Sequence, residues 1–243
     1  MIYQNLSCKA TKHGFSLIEL AISLVIIALL ILTISSADKL NAGAKLSKVI
    51  SEFQALEADI YSFKTTYNSL PGDFHNAYNY WQNNCDNNPD NCNGDGNNLI
   101  NYNTTLNQNI ESYRAWQHLY LAEIKNDFYT TGTAISGEAV IGQNIPESKL
   151  TNTGYTLLNA DFTVHNFANY ITLGAAKSGE YARGGGLTAL QAYKIDKKID
   201  DTNPLKGNFL TLFDLTNTCY NNATSYNLND IESKNCWVAF KLN

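Results

Sequence analysis

The sequence predicts an α+β protein, a long N-terminal helix packed on a head domain that contains an antiparallel sheet. Three observations carry the prediction. No proline or glycine interrupts the run from Phe15 to Ala42. From Leu46 the apolar residues Leu46, Val49, Phe53, Leu56, Ile60, Phe63 and Tyr67 recur at alternating spacings of three and four, the stripe of an amphipathic helix. Strand-like segments ("YTLL", "NYITLG", "NFLTLFDL" and "CWVAFKL") gather late in the chain, after the helical ones, which favours α+β over alternating βαβ units.

The first element is apolar enough for a bilayer. Phe15 to Ile34 is 20 residues, roughly 30 Å as a helix, the thickness of a hydrocarbon core. Lys9, Lys12 and His13 precede it and no basic residue follows until Lys39, so the positive-inside rule leaves the leader in the cytoplasm and sends the remainder outside. This divides the chain into a leader (1–14), a membrane helix (15–36), its amphipathic continuation (37–70) and a head domain (71–243). Glu19 does not suit a plain anchor. An unpaired carboxylate at mid-membrane costs about 2.5–3.5 kcal/mol, so an acid there implies a partner. The competing reading is a secretory signal cut at Ser35-Ser36-Ala37, which would release a chain starting at Asp38.

Gly14 followed by "FSLIELAISLVIIALLILTI" behind a short basic leader resembles the N-terminus of type IV prepilins and type II secretion pseudopilins. The resemblance implies cleavage by the prepilin peptidase between Gly14 and Phe15, N-methylation of Phe15, and an assembly role for Glu19. Cleavage would create a positive amine near Glu19. Pairing that amine in one subunit with Glu19 in another would turn a costly buried charge into a register-setting contact. Leu17, Leu20, Leu24 and Ile27 would pack against neighbouring helices. The implied partners are other pilin or pseudopilin subunits, the prepilin peptidase, the inner membrane and the assembly platform. The implied location is the bacterial inner membrane, with the C-terminal domain in the periplasm, and then the filament at the cell surface. Where major subunits of this family carry a helix glycine and proline, this chain has Ala28 and Ser36, a departure that points to a minor subunit. "LPGDF", "GDGNN", "AWQHLYLA" and "AYKIDKKIDD" resemble larger prepilin-domain proteins of proteobacteria.

Beyond "NSLPGD", which ends the first helix, "DFHNAYNYWQ" reads as a short helix with Phe74, Ala77 and Trp81 on one face. "IESYRAWQHLYLAEIKNDF" reads as a longer one with Ile110, Trp116, Leu119, Tyr120 and Ile124 toward the core. "LTALQAYKIDKKIDD" reads as a third, starting near Thr188. "RGGG" at Arg183 to Gly186 reads as a flexible turn. Removal of the leader takes Cys8 with it and leaves Cys85, Cys92, Cys219 and Cys236. Four cysteines permit three pairings, and proximity in sequence favours Cys85–Cys92 with Cys219–Cys236, worth about 2.5 and 3 kcal/mol by loop entropy. The gap between Cys85 and Cys92 is too long for the usual zinc-ligand pair. Cys219 and Cys236 also sit where many type IV pilins carry a disulfide-bounded C-terminal region.

"CDNNPDNCNGDGNN" concentrates Asp86, Asp90 and Asp95 among asparagines and glycines, a composition that offers calcium its oxygen ligands and that also serves ordinary turns. It fails the EF-hand pattern, having Tyr102 where the bidentate glutamate belongs. Apart from calcium, no cofactor is expected. The chain lacks HExxH, GxSxG, a Walker A loop and a dinucleotide fingerprint, and His75, His118 and His165 show no metal-ligand spacing, so no enzyme is expected. A formal charge of −5 disfavours nucleic-acid binding. The functional expectation is a structural filament subunit. The alternative is a secreted or anchored binding module, such as an adhesin head, with no polymer role.

Overall fold

The computed structural model describes residues 14, 16–85, 88–102, 110–129, 137–162, 167–213, 218–230 and 232–242. Helix α1 runs Leu17–Tyr67, unbroken over 51 residues. The chain divides into two compact units, one ending at Ala44 and one beginning at Lys45. In the first, the described apolar side chains Leu17 through Ile31 are exposed all round the helix. Among the described residues no helix is long and apolar enough to cross a membrane. The expected apolar run extends to Ile34, whereas the described side chains of that run end at Ile31.

The second unit begins with the amphipathic part of α1. Leu46, Val49, Phe53, Leu56, Ile60 and Phe63 are all buried there, as their spacing requires. There follow α2 (Ala77–Trp81), a 3₁₀ turn (Gln82–Asn84), α3 (Pro89–Cys92) and α4 (Glu111–Leu121). Next come β1 (Thr153–Ala160), β2 (Ala168–Lys177), β3 (Glu180–Gly184) and α5 (Ala189–Ile199). The chain closes with β4 (Phe209–Phe213), β5 (Tyr220–Asn222), β6 (Ser225–Tyr226) and β7 (Cys236–Lys241). Helix α5 starts at a capping box, in which Thr188 accepts from the Gln191 backbone and Gln191 accepts from that of Thr188.

The main sheet is antiparallel, ordered β1-β2-β7-β4, with β3 also paired to β2. Register places Leu157 opposite Ile171, Leu173 opposite Val238, and Phe209 opposite Phe240. Alternation then sends Leu157, Ile171, Leu173, Val238 and Phe209 to the core shared with α1. Phe53 is the contact point, its ring 5.4 Å from Tyr155, 5.8 Å from Phe240 and 6.2 Å from Phe209. The opposite face gathers Tyr170, Leu210, Trp237 and Ala239 into a smaller cluster. Disulfides join Cys85 to Cys92 and Cys219 to Cys236.

Three expectations need correction. Helix α4 stops at Leu121, where the Ala122 N–H donates to the His118 carbonyl, the Glu123 N–H donates to the Tyr120 carbonyl, and Glu123 turns into the left-handed region at φ 58°. Tyr120 is therefore a surface residue at 36% exposure. "RGGG" is also not a flexible turn. Arg183 and Gly184 end β3, and a side chain at Gly185 would collide with the backbone of Lys234 and Asn235. Close approach of two backbone segments requires glycine there.

Candidate functional site

The N-terminal site is built from a helix start. Ser16 precedes the first turn of α1, and its backbone N–H donates to Glu19 Oε2 at 3.2 Å. A helix leaves its first N–H groups without intrahelical partners, and a carboxylate three residues on satisfies one of them and complements the positive end of the dipole. Ser23 Oγ donates to the Glu19 carbonyl at 2.8 Å, so this polar side chain too is satisfied within the helix. Leu17, Leu20, Leu24 and Ile27 are between 52% and 89% exposed. A helix apolar on every side requires an apolar surrounding from outside its own unit. At Gly14 an added Cβ would meet nothing within 4 Å among the described residues, so packing against them does not require glycine there. Phe15, on which the expected cleavage and methylation fall, lies outside the described residues.

The acidic loop has a different organisation from the one expected. Asp86 lies outside the described residues and Asp90 is exposed. Asp95 comes together with Asp73 and Glu111, a carboxylate oxygen of each within 4.8 Å of the others. Asp73 accepts the backbone N–H groups of Asn97 and Asn98, and Glu111 accepts those of Asp95 and Asn101. Asp95 accepts from the backbone of Asn97 and from the side-chain amides of Asn97 and Asn101. Burial drives the Asp73 pKa up to about 6 and that of Glu111 up to about 7, against the hydrogen bonds that favour the ionised forms. Three carboxylates at this spacing suit a hard cation in composition. Their oxygens are already engaged by the loop, so the local work of the cluster is to hold residues 95–101 in place.

The rest of α4 holds the same loop. Arg114 donates to the carbonyls of Asn93 and Asp90, and Gln117 Nε2 donates to the Cys85 carbonyl. His118 accepts the Gly72 N–H on Nδ1 at 2.9 Å and lies 2.9 Å from the Cys92 carbonyl through Nε2. Its ring stacks on Phe63 at 8°. Burial chiefly, with a contribution from Arg114, lowers its pKa to about 3, so it stays neutral with the proton on Nε2. His118 is a structural connector between the Pro-Gly turn and the first disulfide. His165 lies outside the described residues. Sequence reasoning missed Asp73 and Glu111 as functional neighbours of Asp95. The signal available was Asp73 in the Pro-Gly turn, where a buried carboxylate would need donors.

Compared with known proteins, residues 9–35 match a family model described as the prokaryotic N-terminal methylation motif. No curated protein and no solved structure matches the chain. The matched stretch contains Gly14, Glu19 and the start of the exposed apolar helix, and so the chain carries the signature of type IV prepilins and pseudopilins at its N-terminus.

Proposed function

We propose that this chain is a prepilin-like structural subunit of a type IV pilus or a type II secretion pseudopilus, and a minor one. The prepilin peptidase cuts between Gly14 and Phe15, the new amine of Phe15 is methylated, and subunits polymerise through α1. Before assembly the chain crosses the inner membrane once, with residues from about 37 onward in the periplasm. Its partners are other pilin or pseudopilin subunits and the assembly platform.

The observation that carries this reading is the motif at residues 9–35 on a helix whose apolar side chains have no cover of their own. Two further features support it. Among the described residues nothing packs against Gly14, which suits a residue read by a peptidase. Two disulfides suit an oxidising compartment outside the cytoplasm. In the uncut chain Glu19 caps its own helix through Ser16. After cleavage the Phe15 amine of a neighbour offers a charged partner in place of a single N–H, and that exchange would fix the stagger between subunits.

The test is the mature N-terminus, read by mass spectrometry on protein from the native host. A chain starting at Phe15 with one added methyl group is expected. A chain starting at Asp38 would replace this reading with that of a secreted binding module.

A further inference from the structure

Trp81 and Tyr120 line an open cleft of about 650 Å³ on the head, together with Asn84, Glu123, Lys125 and Asn126. Its aromatic walls pack against other rings. The Trp81 ring packs 5.4 Å from Tyr67, 5.8 Å from Phe74 and 5.3 Å from His118, yet the residue remains half-buried rather than enclosed. Tyr120 meets Phe128 edge-on at 5.2 Å and keeps much of its surface open.

The backbone around the cleft is strained at two places. Gln82, directly after Trp81, has φ 46° and ψ −130°, a region that glycine normally occupies. Glu123, at the end of α4, has φ 58°. Strained non-glycine residues persist where the surroundings hold them, and they concentrate at ligand-binding positions. Gln82 adjoins the lining residue Trp81 and Glu123 is itself in the lining, while Asn68, Asn98, Asn152 and Thr202 hold positive φ elsewhere in the chain. The side-chain amides of Asn84 and Asn126 make no hydrogen bond among the described residues, although each can both donate and accept.

These features select among ligand classes. Lys125 is already held by Asp59 at 2.6 Å, so among the described residues the lining offers an anion no uncommitted cation. Among the described residues no strand contributes to the lining, which leaves a peptide no ladder to extend. The cleft is too open to enclose an apolar molecule. One exposed and one half-buried aromatic ring, flanked by two amides and a carboxylate, suit a ligand with weakly polar C–H faces and hydroxyls around its edge. We propose that this cleft binds a neutral saccharide, with the pyranose face against Trp81 or Tyr120 and hydroxyls on Asn84, Asn126 and Glu123. The proposal does not depend on the assembly reading, and either can fail without the other.

The full chain, purified in an amine-oxide detergent that carries no sugar headgroup, is tested by saturation-transfer NMR. The probes are neutral pyranosides: methyl β-glucoside, methyl β-galactoside, N-acetylglucosamine, and their β1,4-linked disaccharides. Transfer to the ring C–H protons of at least one probe is expected. The double variant N84A/N126A and the single variant Y120A should each weaken the apparent affinity about tenfold, as loss of one or two ligand contacts would. Circular dichroism should stay at the wild-type signal in both, and the Tm of N84A/N126A should stay at the wild-type value, since the replaced amides hold nothing else among the described residues; Y120A also gives up the edge contact with Phe128 and is judged by its unchanged circular dichroism. Absence of transfer to every probe would overturn the proposal, and so would equal transfer in wild type and both variants.

Discussion

Glu111, in the first turn of α4, accepts the backbone N–H of Asp95 at 2.9 Å from sixteen residues upstream. Its other oxygen takes the N–H of Asn101 at 2.8 Å. A helix read from its apolar spacing thus buries its polar side chains as well. Glu111, Arg114, Gln117 and His118 are each at most 4% exposed, and every one of them bonds to the segment between the Pro-Gly turn and Asn101. The long asparagine-rich loop is fixed by a helix that follows it in sequence.

This arrangement has a pH signature. Glu111 binds its proton more tightly folded than unfolded, so its contribution to stability is fully present below the unfolded value and is lost as pH rises through about 7. Asp73 acts in the same direction, with its loss centred near pH 6. His118, with its folded value depressed to about 3, acts in the opposite sense, its contribution present above the unfolded value and lost as pH falls. Glu111→Gln should lower Tm, since one loop N–H then faces an amide N–H₂. The gap between wild type and Glu111→Gln should widen as pH falls from 7.5 to 5 (a range set by the unfolded and folded values, about one proton's linkage). Thermal melts of both proteins across that range check it, and a constant gap would be inconsistent with a protonating Glu111.

Replacing His118 leaves the Gly72 N–H and the Cys92 carbonyl without partners inside the core. His118→Leu is expected to destabilise the head by about 2–4 kcal/mol, the combined cost of two buried unsatisfied groups. Urea titration measures this. The loss should shrink below pH 6, where wild-type His118 is itself a burden.

All six oxygens of Asp73, Asp95 and Glu111 accept hydrogen bonds from the loop. Calcium would have to displace several of these to reach its usual six to eight ligands. Calcium is therefore expected to leave Tm unchanged near neutral pH and to give no binding heat by calorimetry. A clear upward shift would mean that the loop reorganises around a cation.

The two disulfides are expected to differ in consequence. Replacing both Cys219 and Cys236 by alanine removes the cross-link between β7 and the segment leading into β5, at about 3 kcal/mol. The pair Cys85 and Cys92 closes a shorter loop, so its removal should cost less, about 2.5 kcal/mol. Chemical denaturation of the two double variants gives the comparison.

Glu19→Ala removes the Ser16 cap and, in the proposed filament, the partner of the methylated amine. The cap alone is worth about 0.5–2 kcal/mol on a 51-residue helix, too little to prevent membrane insertion or folding of the head. Membrane fractionation should match wild type while filament incorporation falls sharply. Wild-type filament number and length in the variant would remove Glu19 from the assembly mechanism.

The N-terminal signature was legible because it is written in contiguous residues: Gly14, the acid at Glu19 and an apolar run at fixed spacing need no tertiary structure to be read. The buried stripe of α1 from Leu46 to Phe63 was legible for the same reason, since helical periodicity is a local property. The start of α5 near Thr188 was legible too, and the structure closes it with a capping box. What tertiary structure decided was polar. Asp73 and Glu111 lie 38 positions apart in sequence, and nothing near either one says that both will be buried against the same loop. The close backbone approach at Gly185 and the strained turn after Trp81 likewise depend on what packs beside them. Apolar patterning needs only a core to face, and any core will do. A buried polar group needs one particular donor or acceptor, and only the folded chain says where that partner is.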